Sequence, residues 1–273
     1  MGLHYCSFEL QIHALLPAAA KEHDLGETPT TEGYLMQFWK CFVSSAVLLG
    51  SAAISMATPG PRAGRPPEPP TTLRSLYSLS PPSELQGKKC ALLLVDFQRE
   101  FVDGRLPLPE VQAAIKHAVE LANWARRAGI LVVAVKNIVS RPGSPVFAES
   151  SASSAFVTEL SPQPGDFVLT KAMAGAFSKT NLDLELKARG IDTLIVAGLM
   201  THLAVLTTAS DGMVLGYRVL VAADATATRT LPGAPGGAAL DARTLQRAAL
   251  ASMADRAADV LTNRAIVGLP LAP

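Results

Sequence analysis

The sequence predicts an α/β domain in which a mainly parallel sheet is covered by helices on both faces, a three-layer Rossmann-like sandwich. Three observations carry this expectation. From Lys88 onward short apolar runs alternate with stretches of helical spacing, which is the pattern of βαβ units. The runs are apolar almost throughout, as strands buried on both faces are. Gly129, Gly190 and Gly216 each stand where a helical stretch stops.

The elements follow in order. Cys90 to Val95 is a continuous apolar run that ends at Asp96 and reads as a central strand. Residues 109–128 have helical spacing, with Val111, Ile115, Val119, Leu121 and Trp124 as inner positions. Ile130 to Val135 is the second strand and Phe167 to Thr170 a short third. Residues 179–189 read as a helix, Thr193 to Ala197 as the fourth strand, 202–215 as a helix and Tyr217 to Ala222 as the fifth strand. Residues 241–258 form the last helix, and Val260-Leu261 a final short strand. Right-handed crossovers place the C-terminal ends of such strands along one edge, where ligands sit. The long connection 137–166, with Pro142-Gly143 and Pro145, is expected to act as a lid or a subunit contact, and the Gly/Pro-rich loop 230–239 to close the other side.

Upstream of this region the chain changes character. Residues 1–57 form an extension. Within it Lys40 precedes an apolar segment, 41–57, that ends in Ser55-Met56-Ala57 and has the shape of a secretory signal or an anchor. It is short for a membrane span and lies 35 residues in, so a signal would need translation to begin at Met36. Export or organelle targeting is one expectation and a cytoplasmic protein the other. Residues 58–87 hold eight prolines and read as an extended linker. The domain is then expected to span 88–273.

Bulk composition excludes several classes. Of 273 residues, 49% are hydrophobic and 17% charged, which allows one large core. A net charge of +1 gives no electrostatic basis for binding nucleic acid. The three cysteines, Cys6, Cys41 and Cys90, form no metal or disulfide spacing. Of the five histidines only His117 and His202 fall in the domain, far apart, so no metal site is expected.

Chemistry concentrates at the predicted ligand edge. Asp96 ends the first strand, Lys171 follows the third, and Ala204 follows the fourth within Gly198-Leu199-Met200-Thr201-His202-Leu203-Ala204-Val205. A helix start after a parallel strand presents free N–H groups, a natural place for a nucleophile or an anion. A methyl group there attacks nothing. A carboxylate just past an apolar strand is partly desolvated, and Lys171 could supply its cation. Cys90 cannot substitute as nucleophile, because it lies at the far end of the strand from Asp96, roughly 20 Å away at the usual rise.

These motifs together resemble the isochorismatase-like hydrolases of the cysteine hydrolase superfamily. The resemblance covers roughly residues 88–262. It rests on Ala91-Leu92-Leu93-Leu94-Val95-Asp96-Phe97-Gln98-Arg99-Glu100-Phe101, on Lys171 with Gly175-Ala176-Phe177 and Thr180-Asn181-Leu182, on Gly198 to Val205, and on Asp224-Ala225-Thr226-Ala227-Thr228-Arg229. It implies the same three-layer fold, a cis peptide between Leu199 and Met200, and a dimer or tetramer. Most members use an Asp–Lys–Cys triad in which a thiolate attacks an amide or related carbon beside backbone N–H donors. Asp96 and Lys171 match two members of that triad, and Ala204 occupies the position of the third. The Asp-x-His metal motif of the family's nicotinamidases is not in this sequence, and no cofactor is implied.

Candidate substrate contacts are Asn137, Phe177, Leu199, Met200, Thr201 and His202, with Thr201 expected to support the turn and His202 to pack or cap beside it. Phe147 and Phe156 are further candidates to line an apolar pocket. Three functions remain open. The chain is a hydrolase disabled at its nucleophile that still binds a small molecule; or it hydrolyses a vinyl ether with Asp96 as general acid, as the cysteine-lacking isochorismatases of the family do; or it is a non-enzymatic interaction module. The second meets a difficulty: an ammonium lowers a carboxyl pKa, whereas a general acid needs it raised, so burial must win.

Overall fold

A computed structural model of the chain describes residues 70–272. The apolar segment 41–57 and the first part of the expected linker lie outside the described residues. Among the described residues no helix is long and apolar enough to cross a membrane.

Strands β2 (Cys90–Val95), β3 (Leu131–Asn137), β4 (Phe167–Lys171), β5 (Thr193–Leu199), β6 (Arg218–Ala227) and β7 (Asp259–Leu261) form one parallel sheet in the order β4-β3-β2-β5-β6-β7. The order reverses at β2, so the crevice beyond the C-terminal ends of β2 and its neighbours is the ligand position of a doubly wound sheet. Side chains alternate across the sheet. Leu92, Leu94, Ile195 and Ala197 join a core with helix α2 (Val111–Arg127), whereas Leu93, Val95 and Val196 join a second core with α3 (Leu182–Ala188) and α4 (Leu206–Val214). These are the three layers. In α2 the inner face is built largely from Ala114, Ala118, Ala122 and Ala125 beside Val111, Ile115 and Leu121, while Val119 and Trp124 stand at its margin. Small residues let the helix lie close on the sheet.

Four regions differ from expectation. The chain before residue 88 is not all linker. Helix α1 (Leu73–Leu76) is capped by Thr72, Arg74 pairs with the buried Asp259 of β7, and β1 (Leu85–Gln86) pairs with β8 (Leu271–Ala272). Leu85 is buried, so the folded unit begins well before Lys88. The helix expected over 202–215 opens with a π turn, Thr201–Val205, before α4. The last helix, α5 (Ala242–Ser252), likewise runs into a π turn, Met253–Ala257, ahead of β7 and the short α6 (Asn263–Val267). Strand β6 runs five residues further than expected, through a register shift against β5 between Val196 and Gly198, and this carries Thr226 and Ala227 alongside the end of β5.

Gly198 shows how tightly β2 and β5 close at that end. A Cβ placed there would sit 2.4 Å from the Val95 carbonyl oxygen and 2.7 Å from the Val95 Cβ. The obstacle is backbone and cannot rotate away. Gly198→Ala is expected to cost about 3 kcal/mol by overpacking, which lowers the thermal midpoint by roughly 6–12 °C in a domain of this size. Thermal unfolding followed by circular dichroism checks it; an unchanged midpoint contradicts the described register.

Candidate active site

Four adjacent strand tips, those of β4, β3, β2 and β5, build the site. Val95, the last residue of β2, lies in register with Val135 of β3 and Gly198 of β5, and Asn137 of β3 is in register with Lys171 of β4. Asp96 then turns off the strand with a positive φ of 57°, a conformation that Asp tolerates better than most residues, while its N–H still donates to the Val135 carbonyl at 2.9 Å. Lys171 starts two strands away, about 10 Å at the usual spacing, and its four-carbon stem spans the gap. Its Nζ donates to Asp96 Oδ2 at 2.6 Å and to the Met173 carbonyl at 3.0 Å. Both side chains are almost wholly buried, at 1% and 4% exposure.

The second carboxylate oxygen, Asp96 Oδ1, is buried without a hydrogen-bond partner among the described residues. Burial pushes the Asp96 carboxyl up to about 6, against the opposing pull of the Lys171 ammonium. Desolvation therefore outweighs the ion pair, which removes the difficulty noted for an acid at this position.

A cavity of about 170 Å³ lies against this pair. Asn137, Leu199, Met200, Leu203 and Ala204 form part of its wall, and Phe101, Phe147 and Met173 another part. The Leu199–Met200 peptide is cis, as the resemblance implied. Asp96, Lys171 and Ala204 thus face one small space. The other candidates divide. Asn137, Leu199 and Met200 line the cavity. Thr201 is fully buried beside the turn and does not. His202 is turned aside to Thr228, the residue just beyond β6, and burial together with Arg229 lowers its pKa. Phe177 is a correction: it stacks on Tyr217 at 5.8 Å between centroids and packs over Gly212, away from the cavity. Phe156 lies under the Lys136 ammonium, and loop 230–239 contributes nothing to the wall.

The long connection after β3 is fastened by two buried polar side chains that sequence reasoning passed over. Gln98 receives the Asn137 N–H at 2.8 Å and donates to the Asn137 and Ser154 carbonyls at 2.9 and 2.8 Å. Glu100 accepts from the Arg105 N–H at 2.7 Å, the Ser153 hydroxyl at 2.7 Å and the Phe147 N–H at 3.4 Å. Phe147, held with a positive φ of 53°, meets Phe101 edge to face at 5.4 Å and closes the cavity with it. The only signal in the sequence was two polar residues within five positions of a wholly apolar strand end.

The isochorismatase domain model matches residues 90–265, which contain every residue of this site. The chain belongs to the isochorismatase family. A secreted isochorismatase effector of Verticillium dahliae is 32% identical over 185 residues, 68% of this chain and 93% of that protein. A maleamate amidohydrolase of Pseudomonas putida is 36% identical over 153 residues, 50% of this chain and 70% of that one. Among solved structures, an isochorismatase from Pseudomonas putida superimposes with a TM-score of 0.64 at 29% identity, covering 72% of this chain and 98% of that one. The fold is therefore that of an isochorismatase-family hydrolase, and relatives in the family act as amidohydrolases.

Proposed function

We propose that this isochorismatase-family chain hydrolyses a small vinyl ether by general acid catalysis from Asp96, with no thiol step. The observation that carries the reading is Asp96 Oδ1: buried, unpartnered, on a carboxyl raised to about 6, at a pocket whose nucleophile position is the methyl of Ala204. Near neutral pH a useful fraction of such a group is protonated, which suits proton donation. Asp96 donates its proton to the terminal alkene carbon, and the ether oxygen's lone pair takes up the positive charge as an oxocarbenium ion. Water adds to the cationic carbon and its proton returns to Asp96. The hemiketal then splits into a carbonyl compound and an alcohol, with one water consumed. Lys171 stabilises the carboxylate while the proton is away. Buried preorganised charge is worth more here than in water.

The Verticillium dahliae relative, named as an isochorismatase, supports the reaction type, cleavage of a vinyl ether, and not the charge of the substrate. The amidohydrolase relative points to amides, but a methyl at residue 204 cannot form the acyl intermediate of thiol chemistry. Phenyl vinyl ether is a suitable probe, since its hydrolysis gives phenol and acetaldehyde. The purified chain is expected to release phenol above the buffer rate and to leave benzamide untouched. Ala204→Cys is expected to add a thiol alkylated by iodoacetamide and to gain benzamide hydrolysis while still releasing phenol. Phenol release no faster than buffer would leave the pocket a binding site only.

A further inference from the structure

Resting on the reading of this pocket as a small-molecule site, we propose that it takes an uncharged compound the size of a single six-membered ring. Three observations meet here. Size comes first. At about 170 Å³ the cavity is small beside the roughly 300–1,000 Å³ of most ligand sites, and it is close to the ~150 Å³ void that accommodates one benzene ring. Lining comes second. Phe101 and Phe147, packed edge to face, line the cavity together with Leu199 and Met200, an aromatic and aliphatic surface that suits an apolar body.

Charge comes third and decides the class. Among the described residues lining the cavity, Lys171 is the one cation, and its ammonium is already engaged by Asp96 at 2.6 Å and the Met173 carbonyl at 3.0 Å. A substrate carboxylate entering this space would lose its hydration, find no free counter-charge and lie beside the Asp96 carboxyl. An unpaired buried anion is strongly disfavoured. A neutral ligand meets none of these penalties, and its polar atom can be met by Asp96 Oδ1 and Asn137. The apolar rim continues the same character, with Met173 and Leu203 both nearly half exposed at the mouth.

Benzamide and benzoate test this, because they match in shape and differ in charge. Isothermal calorimetry at pH 7.5 with the full chain is expected to show benzoate binding at least 30-fold more weakly than benzamide. Met173→Lys, which places a free ammonium at the mouth, is expected to narrow that gap at least tenfold. Benzoate binding as tightly as benzamide overturns the charge selection, as does a gap that Met173→Lys leaves unmoved. Binding of neither probe overturns the inference whether or not phenyl vinyl ether is hydrolysed. The expected discrimination in a chain that releases no phenol supports the inference and removes only the proposed chemistry.

Discussion

Asp96→Asn is expected to lower kcat/KM for phenyl vinyl ether roughly a thousandfold, in the middle of the range that general acid catalysis contributes. The substitution keeps the size and planarity of the side chain, and its amide oxygen can still accept from Lys171 where Oδ2 does now. What it removes is the transferable proton on the carboxyl. Binding of a neutral ring compound should change much less, because the apolar wall is untouched. Steady-state phenol release with calorimetric binding of benzamide separates the two effects. A variant that keeps wild-type turnover eliminates Asp96 as the acid.

Lys171→Met is expected to produce the largest change in stability, and one that depends on pH. In the wild type, burial raises Asp96 and the ammonium partly restrains it. The folded chain therefore keeps the Asp96 proton up to about pH 6, whereas the unfolded chain releases it near the ordinary carboxylate value of 3.8. More protons are bound in the folded state across that window, so this group's contribution to stability falls as pH rises from about 4 to 6 and then levels off. Without Lys171 the restraint is gone and the Asp96 pKa moves higher still. Stability should then keep falling above pH 6, because ionising Asp96 creates a buried charge with no partner, at a cost of about 3–5 kcal/mol. Thermal midpoints at pH 5.5 and pH 8.5 check this. The deficit of the variant is expected to grow between the two; an equal deficit at both would mean that the pair is not electrostatically coupled.

Asp96 and Lys171 were legible because one stands just past a strand and the other at a strand's last residue, and strand ends gather at one edge of a doubly wound sheet. Ala204 was legible through the glycine turn ahead of it. Other features were not. Gln98 and Glu100 act by folding a long connection back onto the strand tips, and no local period records a contact with Ser153 or Ser154. Phe177 follows the same lysine segment that enters the site, but Gly212 leaves room behind it and Tyr217 offers a ring to stack on, so it packs into the layer below. The start of the domain was hidden because β1 is two residues long and its partner, β8, lies at the other end of the chain. Proline content around it outweighed single buried residues such as Leu85.

The proposed chemistry requires a protonated Asp96 as the proton donor. The dependence of kcat/KM on pH for phenyl vinyl ether, corrected for the acid-catalysed rate in buffer, tests that most directly. A plateau at low pH is expected, with a tenfold fall for each unit above an apparent pKa of about 6 and that limb moved to higher pH in Lys171→Met. A rate that rises with pH through 6 to 8, or a limb that stays in place when Lys171 is removed, contradicts it.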